Sequence, residues 1–218
     1  MEYLPNPHDR LFKETWGRKE NAQSFLQQFL PDYLLSSIDL DRLEICKDSF
    51  VEEDLREYFS DLLYKTTLSG RHGYLYFRFE HKSHPEKRVA LQLLSYQQGI
   101  WDLHLKQEPL PLPVVIAMVP YHGTPQWTAG NSLLHLSGET NERLLPHIPD
   151  FRYLLYDLSR YPNAAIKGAV MFQATMLLFK YVFRPDYQER IPGIFVCFRQ
   201  ACVRDFFCGE GECSDGVI

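Results

Sequence analysis

The stretch Ser60-Asp-Leu-Leu-Tyr-Lys-Thr-Thr-Leu-Ser-Gly-Arg-His-Gly-Tyr-Leu-Tyr-Phe-Arg-Phe-Glu-His-Lys82 decides the fold of this chain. Two runs rich in apolar, aromatic and β-branched residues flank a glycine-bearing turn. Residues 60–68 therefore read as a strand, 69–73 as its turn and 74–82 as the return strand. Strands joined by so short a loop pair antiparallel. Folding about Gly70 and Arg71 sets Asp61 opposite Glu80, with β-carbons about 4.5–5.5 Å apart on one face. Side chains alternate along a strand, so Glu80 and Lys82 share that face while Phe77, Phe79 and His81 point to the other.

Two carboxylates and an ammonium converging at a hairpin end suit phosphodiester chemistry. A hard divalent cation such as magnesium takes oxygen ligands at roughly 2.0–2.1 Å and keeps several waters, so Asp61 and Glu80 suffice to hold it beside a phosphate. Lys82 would orient the attacking water or stabilise charge developing on the phosphate. The competing reading is an ordinary amphipathic hairpin with solvated charges, because acid-x-lysine spacing arises by chance and surface charge pairs are individually weak.

After Glu86-Lys-Arg88, residues 89–105 carry apolar side chains at helical spacing, Ala90, Leu93, Leu94, Ile100, Trp101 and Leu105 among them. Gln92 and Tyr96 lie four apart, on one stripe of that helix. Facing the hairpin end, Gln92 would offer its amide to a phosphate or a metal-bound water, and Tyr96 a hydroxyl or a stacking ring. In the other reading Tyr96 is core and Gln92 faces solvent.

The run Ser49-Phe-Val-Glu-Glu-Asp-Leu-Arg-Glu57 leading into Ser60-Asp-Leu-Leu-Tyr64, followed by Phe79-Glu-His-Lys-Ser83 and Leu93-Leu-Ser-Tyr96, resembles the Rpn family of recombination-promoting nucleases and transposases. His8-Asp-Arg-Leu-Phe-Lys13 and Pro113-Val-Val-Ile-Ala-Met-Val-Pro-Tyr-His-Gly123 fit the same pattern. The family falls in the PD-(D/E)XK nuclease superfamily. The resemblance implies an α/β, restriction-endonuclease-like core with a central mixed β-sheet flanked by helices. It makes Asp61 and Glu80 metal ligands, with the His81 backbone carbonyl a further one, and Lys82 the catalytic lysine. Gln92 and Tyr96 match a glutamine and a tyrosine that some branches carry on the following helix. Many members have glutamine where Lys82 stands, so lysine favours an intact site. Asp9 matches an acid common at the family's start, or else caps the first helix.

The remaining segments arrange themselves around this core. Residues 8–30 show helical spacing of Leu11, Phe12, Trp16, Phe25, Leu26, Phe29 and Leu30, stopped by Pro31. Leu43-Glu-Ile-Cys46 and Ser49-Phe-Val51 suggest a short strand opening the meander, with the charged stretch 52–57 as a solvated rim. Residues 112–120 form a valine-rich apolar run, as in a central strand buried on both faces. His122-Gly123 follows it, where loops of such sheets often carry sites, although a lone histidine there is more often a turn residue. Residues 124–149 read as an excursion with a short helix, 151–158 as another strand and 164–183 as an apolar-faced helix ended by Arg184-Pro185.

Composition sets outer bounds. With 218 residues and 45% hydrophobic content the chain can bury one substantial core. The expected organisation is one nuclease domain over 1–190 and a C-terminal tail over 191–218. No apolar stretch reaches the ~18 uncharged residues of a spanning helix, and the start lacks a secretion signal. A cytoplasmic protein with no membrane partner is expected. Cys197, Cys202, Cys208 and Cys213 lack the tight Cys-x-x-Cys pairs of structural zinc sites, and a reducing compartment disfavours disulfides. The tail loses the helical character that relatives continue with, so truncation or an altered reading frame is expected there.

A net charge of −5 argues against a protein that coats nucleic acid through a broadly basic surface, but not against a nuclease. The leading expectation is a DNA endonuclease dependent on magnesium, with manganese or calcium as alternates, acting in recombination or on mobile elements. DNA is its partner, and symmetric double-strand cutting would call for a homodimer. The alternative is a catalytically silent DNA-binding or protein-interaction module on the same fold. A hydrolase using His122 or His81 as base is a third reading, unsupported by any nucleophile and orienting group at telling spacing.

Overall fold

The computed structural model describes residues 7–46, 62–78, 86–167 and 170–196. At its centre, β2 (Leu62–Leu68) and β3 (Arg71–Phe77) form the expected antiparallel hairpin. The turn is tighter than expected. Ser69 and Gly70 both adopt left-handed backbone, with φ of 48° and 80°, the geometry of a two-residue turn whose twist matches the flanking strands. Pairing runs from Leu68↔Arg71 to Leu62↔Phe77, so the pivot falls between Ser69 and Gly70 rather than between Gly70 and Arg71. This corrects the register by two positions along β3. Gly73 belongs in the strand because Leu68 packs over it: a Cβ there would lie 2.3 Å from Leu68 Cδ1. The expected pairing of Asp61 with Glu80 lies outside the described residues.

Three further strands extend the hairpin into a five-stranded sheet of order β1-β2-β3-β4-β5. β1 (Ile38–Ile45) pairs antiparallel with β2, with an irregularity between Asp39 and Glu44. It begins five residues before the expected Leu43, because Asp39, Asp41 and Arg42 break the apolar alternation there; on an edge strand such charges are tolerated and discourage further pairing. β4 (Val114–Tyr121) and β5 (Leu154–Asp157) join in parallel, making the sheet mixed. β4 is an interior strand, as its apolar run implied. β5 is shorter than the expected 151–158. The Asp157 carboxylate accepts from the Ser159 N–H at 3.1 Å and turns the chain into a 3-10 turn at Leu158–Arg160.

Strand alternation builds a core on each face. Tyr64, Leu75, Phe77 and Met118 pack beneath α1 (Pro7–Trp16), α2 (Lys19–Phe29) and a helix over Val170–Tyr181. Tyr76, Val115, Ala117, Val119 and Tyr121 face the opposite way, toward the helix Val89–Gln107. In chain order the helices are α1, α2, α3 (Asp32–Leu35), α4 (Val89–Gln107), α5 (Leu134–Ser137) and α6 (Val170–Tyr181), and a further helical run covers 187–196.

The single first helix expected over 8–30 is two helices. At Gly17, whose N–H still bonds the Lys13 carbonyl at 2.8 Å, a Cβ would sit 2.4 Å from that oxygen, so glycine permits the break. The break leaves the Trp16 carbonyl to accept the buried Tyr64 hydroxyl. Asp9 falls inside α1 rather than at its cap. α6 starts at Val170, later than the expected 164, because residues 163–165 form a separate 3-10 turn.

Replacing Gly70 with alanine should cost about 1 kcal/mol through left-handed backbone strain alone, since nothing lies within 4 Å of the added methyl. Gly70→Asn should recover most of that loss, because asparagine tolerates this region. Urea unfolding of the two variants beside the parent checks both values.

Candidate functional site

β3, β4 and β5 are mutually parallel, so their carboxyl ends lie on one edge of the sheet, and β2 starts at that same edge. Just past β3, the Arg78 N–H donates to the Met118 carbonyl at 2.8 Å and holds the strand against β4. Helix α4 runs back along this pair. Trp101 Nε1 donates to the Pro113 carbonyl at 2.9 Å near the start of β4, and Gln97 Nε2 to the Val115 carbonyl at 3.3 Å. The first turns of α4 therefore reach the edge where the hairpin opens.

The Gln92–Tyr96 stripe meets that edge. Tyr96 is 7% exposed and its ring lies 5.1 Å from that of Tyr76. The Arg78 guanidinium sits over the Tyr96 ring at 5.7 Å, a cation–π contact. Tyr96 is thus a core residue at the rim of the site. Gln92 is half-buried rather than solvent-facing, and its Oε1 is buried without a hydrogen-bond donor among the described residues. Burying a polar atom without a partner is costly, so this acceptor suits a donor supplied from outside the described protein. Asp61, Glu80, His81 and Lys82, and also Cys197, Cys202, Cys208 and Cys213, lie outside the described residues.

His122, expected as a turn residue, is 2% exposed at the end of β4. Its ring stacks on Phe183 at 5.1 Å and packs on Phe179 at 5.2 Å. Beside it a cleft of about 340 Å³ opens between the ends of β4 and β5 and the end of α6, lined in part by Lys180 and Arg184. Sequence reading missed this feature, although Lys180 is a lone charge in the apolar stretch Val170–Tyr181.

Other chemistry is disfavoured. Burial pushes the Cys46 thiol up to about 11, so it is not the thiolate that a nucleophile must be near neutral pH. Burial likewise raises Tyr153 to about 12 and pushes Tyr156 upward, keeping both phenols protonated. Among the described residues no group of three or more His, Cys, Asp or Glu side chains is placed to hold a metal ion. No helix among them is long and apolar enough to cross a membrane.

A mixed sheet covered by helices on both faces, its strand ends gathered beside an open hairpin, defines an α/β restriction-endonuclease-like core. The chain matches the family described as "Putative transposase, YhgA-like" over residues 6–204 and belongs to it. It is 29% identical to Recombination-promoting nuclease RpnD of Escherichia coli O157:H7 over 91% of this chain and 76% of that protein. It is 35% identical to Recombination-promoting nuclease RpnC of E. coli K12, over 54% of this chain and 39% of the relative. It is also 35% identical to the Inactive recombination-promoting nuclease-like protein RpnE of the same strain, over 54% and 40%. The chain thus spans well under half the length of RpnC and RpnE. No solved structure matches it.

Tyr96→Ala should destabilise the protein by about 3–5 kcal/mol, the range for deleting a buried aromatic ring. Tyr96→Phe keeps the ring against Tyr76 and should cost less than about 1.5 kcal/mol. Denaturant unfolding separates the ring's packing from any role of the hydroxyl.

Proposed function

We propose that this protein is a metal-dependent DNA endonuclease that hydrolyses phosphodiester bonds in recombination or on mobile elements. The observation that carries the reading is the meeting, at one sheet edge, of the opening of the β2–β3 hairpin with the Gln92–Tyr96 stripe of α4, whose buried Gln92 oxygen has no donor among the described residues. Sequence parity supports it. The odd-numbered Leu63 on β2 and the even-numbered Tyr74 and Tyr76 on β3 face α4, and Asp61, Glu80 and Lys82 share that parity. The family names of RpnD and RpnC point the same way.

The donor set fits a hard cation. Asp61, Glu80 and the His81 carbonyl present only oxygen, which magnesium prefers, and which manganese or calcium also accepts. When bound, such an ion supplies Lewis-acid stabilisation of phosphate charge and a more acidic water. Lys82 holds the attacking water or donates to a phosphate oxygen. Gln92 orients a donor at its buried oxygen. The silent-module alternative draws on one observation: RpnE, as similar to this chain as RpnC, bears the name inactive.

Supercoiled plasmid incubated with protein and magnesium should be nicked or linearised, and chelator should stop the reaction. Asp61→Ala and Lys82→Ala should each lower cutting by about 100-fold or more while their circular dichroism matches the parent. Undiminished cutting by either folded variant would sink the assigned site. No cutting by the parent with magnesium, manganese or calcium would favour the silent module.

A further inference from the structure

We propose that the cleft at the carboxyl ends of β4 and β5 holds a backbone phosphate of the nucleic-acid strand, a short distance along from the phosphate at the hairpin opening; this rests on the nuclease reading. The cleft's wall brings together His122, Thr124, Ser159, Lys180, Arg184 and Asp186. Lys180 is the telling member. It is 8% exposed, and its ammonium donates to the Tyr161 carbonyl at 2.5 Å and to Asn163 Oδ1 at 2.6 Å. Both acceptors are neutral. No described carboxylate lies within ion-pair distance of it.

Burying a cation without a counter-charge is costly, and tying two backbone turns together needs only a neutral donor. A lysine kept in this position points to an anion as its missing partner, and an ammonium has a third N–H to give. Arg184 adds a second cation. Its Nη2 donates to the Ser159 carbonyl at 3.2 Å and its guanidinium lies 5.3 Å above the Tyr181 ring, fixing the group while other N–H donors remain. The one carboxylate in the wall, Asp186, is occupied by Arg190 at 3.1 Å. Lys180 and Arg184 make the wall locally cationic, and the Thr124 hydroxyl supplies a polar contact of the kind an oxyanion takes, whereas the Ser159 hydroxyl is spent on the buried Asp157 carboxylate behind it at 2.6 Å.

Position selects a polynucleotide phosphate over a free one. Neighbouring strands lie about 4.7–4.9 Å apart, so the end of β5 is about 10 Å from the end of β3 across β4. Phosphates along one strand of duplex DNA advance about 3.4 Å per nucleotide. That figure is the rise along the axis, and successive phosphates winding around it lie farther apart, so the cleft meets a phosphate within about three nucleotides of the one at the hairpin opening.

The test is fluorescence anisotropy of a labelled duplex oligonucleotide in chelator, with Lys180→Gln and Arg184→Gln beside the parent, and plasmid cutting followed in parallel. Glutamine at 180 keeps a donor and loses the charge. Arg184 is only partly buried, so its variant decides the matter if Lys180→Gln melts early. Each variant should weaken binding about tenfold and lower the slope of log affinity against log salt by about 1. An unchanged slope and affinity in folded Arg184→Gln, with a parent that cuts plasmid, overturns the cleft assignment and leaves the nuclease reading standing. A parent that neither binds nor cuts overturns both. Competition by inorganic phosphate at concentrations comparable to the oligonucleotide would reassign the cleft to a small free anion.

Discussion

Two consecutive left-handed residues, Ser69 and Gly70, set the register on which the rest of the sheet depends. A reversal in two residues leaves β2 and β3 no freedom to slide, since each step of slippage would exchange the faces of every side chain. Tyr64, Leu75 and Phe77 are thereby committed to the α1–α2–α6 layer, and Tyr76 to the α4 layer. The turn lies at the end of the hairpin away from the proposed chemistry. Its strain is thus spent on alignment, and the opposite end is left to carry function.

The two cores differ in how they hold their helices. Trp16 sits among Phe12, Phe25, Phe172 and Phe179, with ring centroids 4.9 to 6.1 Å apart, and clamps α1, α2 and α6 to one face. On the other face α4 is pinned by polar anchors along its middle turns, from Gln97 and Trp101 to carbonyls near the start of β4. Those bonds fix the axial position of the helix, and with it the height of Gln92 and Tyr96 above the strand ends. A site at an open sheet edge needs that kind of control, because its elements are distant in sequence and only packing brings them together.

What was legible in the sequence follows from what local pattern can encode. The hairpin, α4 and β4 were readable because their apolar periodicity and turn residues act over a few positions. β1 was half-missed, because an edge strand exposes its charges and so loses the alternation that marks a strand. The break at Gly17 was missed because apolar spacing continues across it; only the close approach of the Lys13 carbonyl reveals it. The pivot was misplaced by one residue because Ser69 takes a left-handed conformation that its type rarely adopts. At the site, Gln92 and Tyr96 were legible as a stripe, whereas the Arg78–Tyr96 contact and the Lys180–Arg184 cleft depend on parallel pairing of β4 and β5 that no local pattern specifies. The lone lysine of α6 was visible as a letter, but its lack of a counter-charge among the described residues was not.

The proposed nucleic-acid substrate is a polyanion, and the chain is acidic. A formal charge of −5 repels a polyanion at long range, yet at physiological salt interactions between exposed charges fade beyond about 8 Å. What a phosphate meets on arrival is the local set, and at the ends of β4 and β5 that set includes Lys180 and Arg184. Each is held against an aromatic ring or a carbonyl that costs it no charge: Tyr181 beneath Arg184, Tyr161 beside Lys180. The carboxylate in the cleft wall, Asp186, is taken by Arg190. A chain with an acidic total can in this way present a cationic cleft, with salt-sensitive binding confined to a few phosphates rather than spread over the surface. A nuclease that must release its product gains from that restriction, since every added phosphate contact strengthens product binding as much as substrate binding.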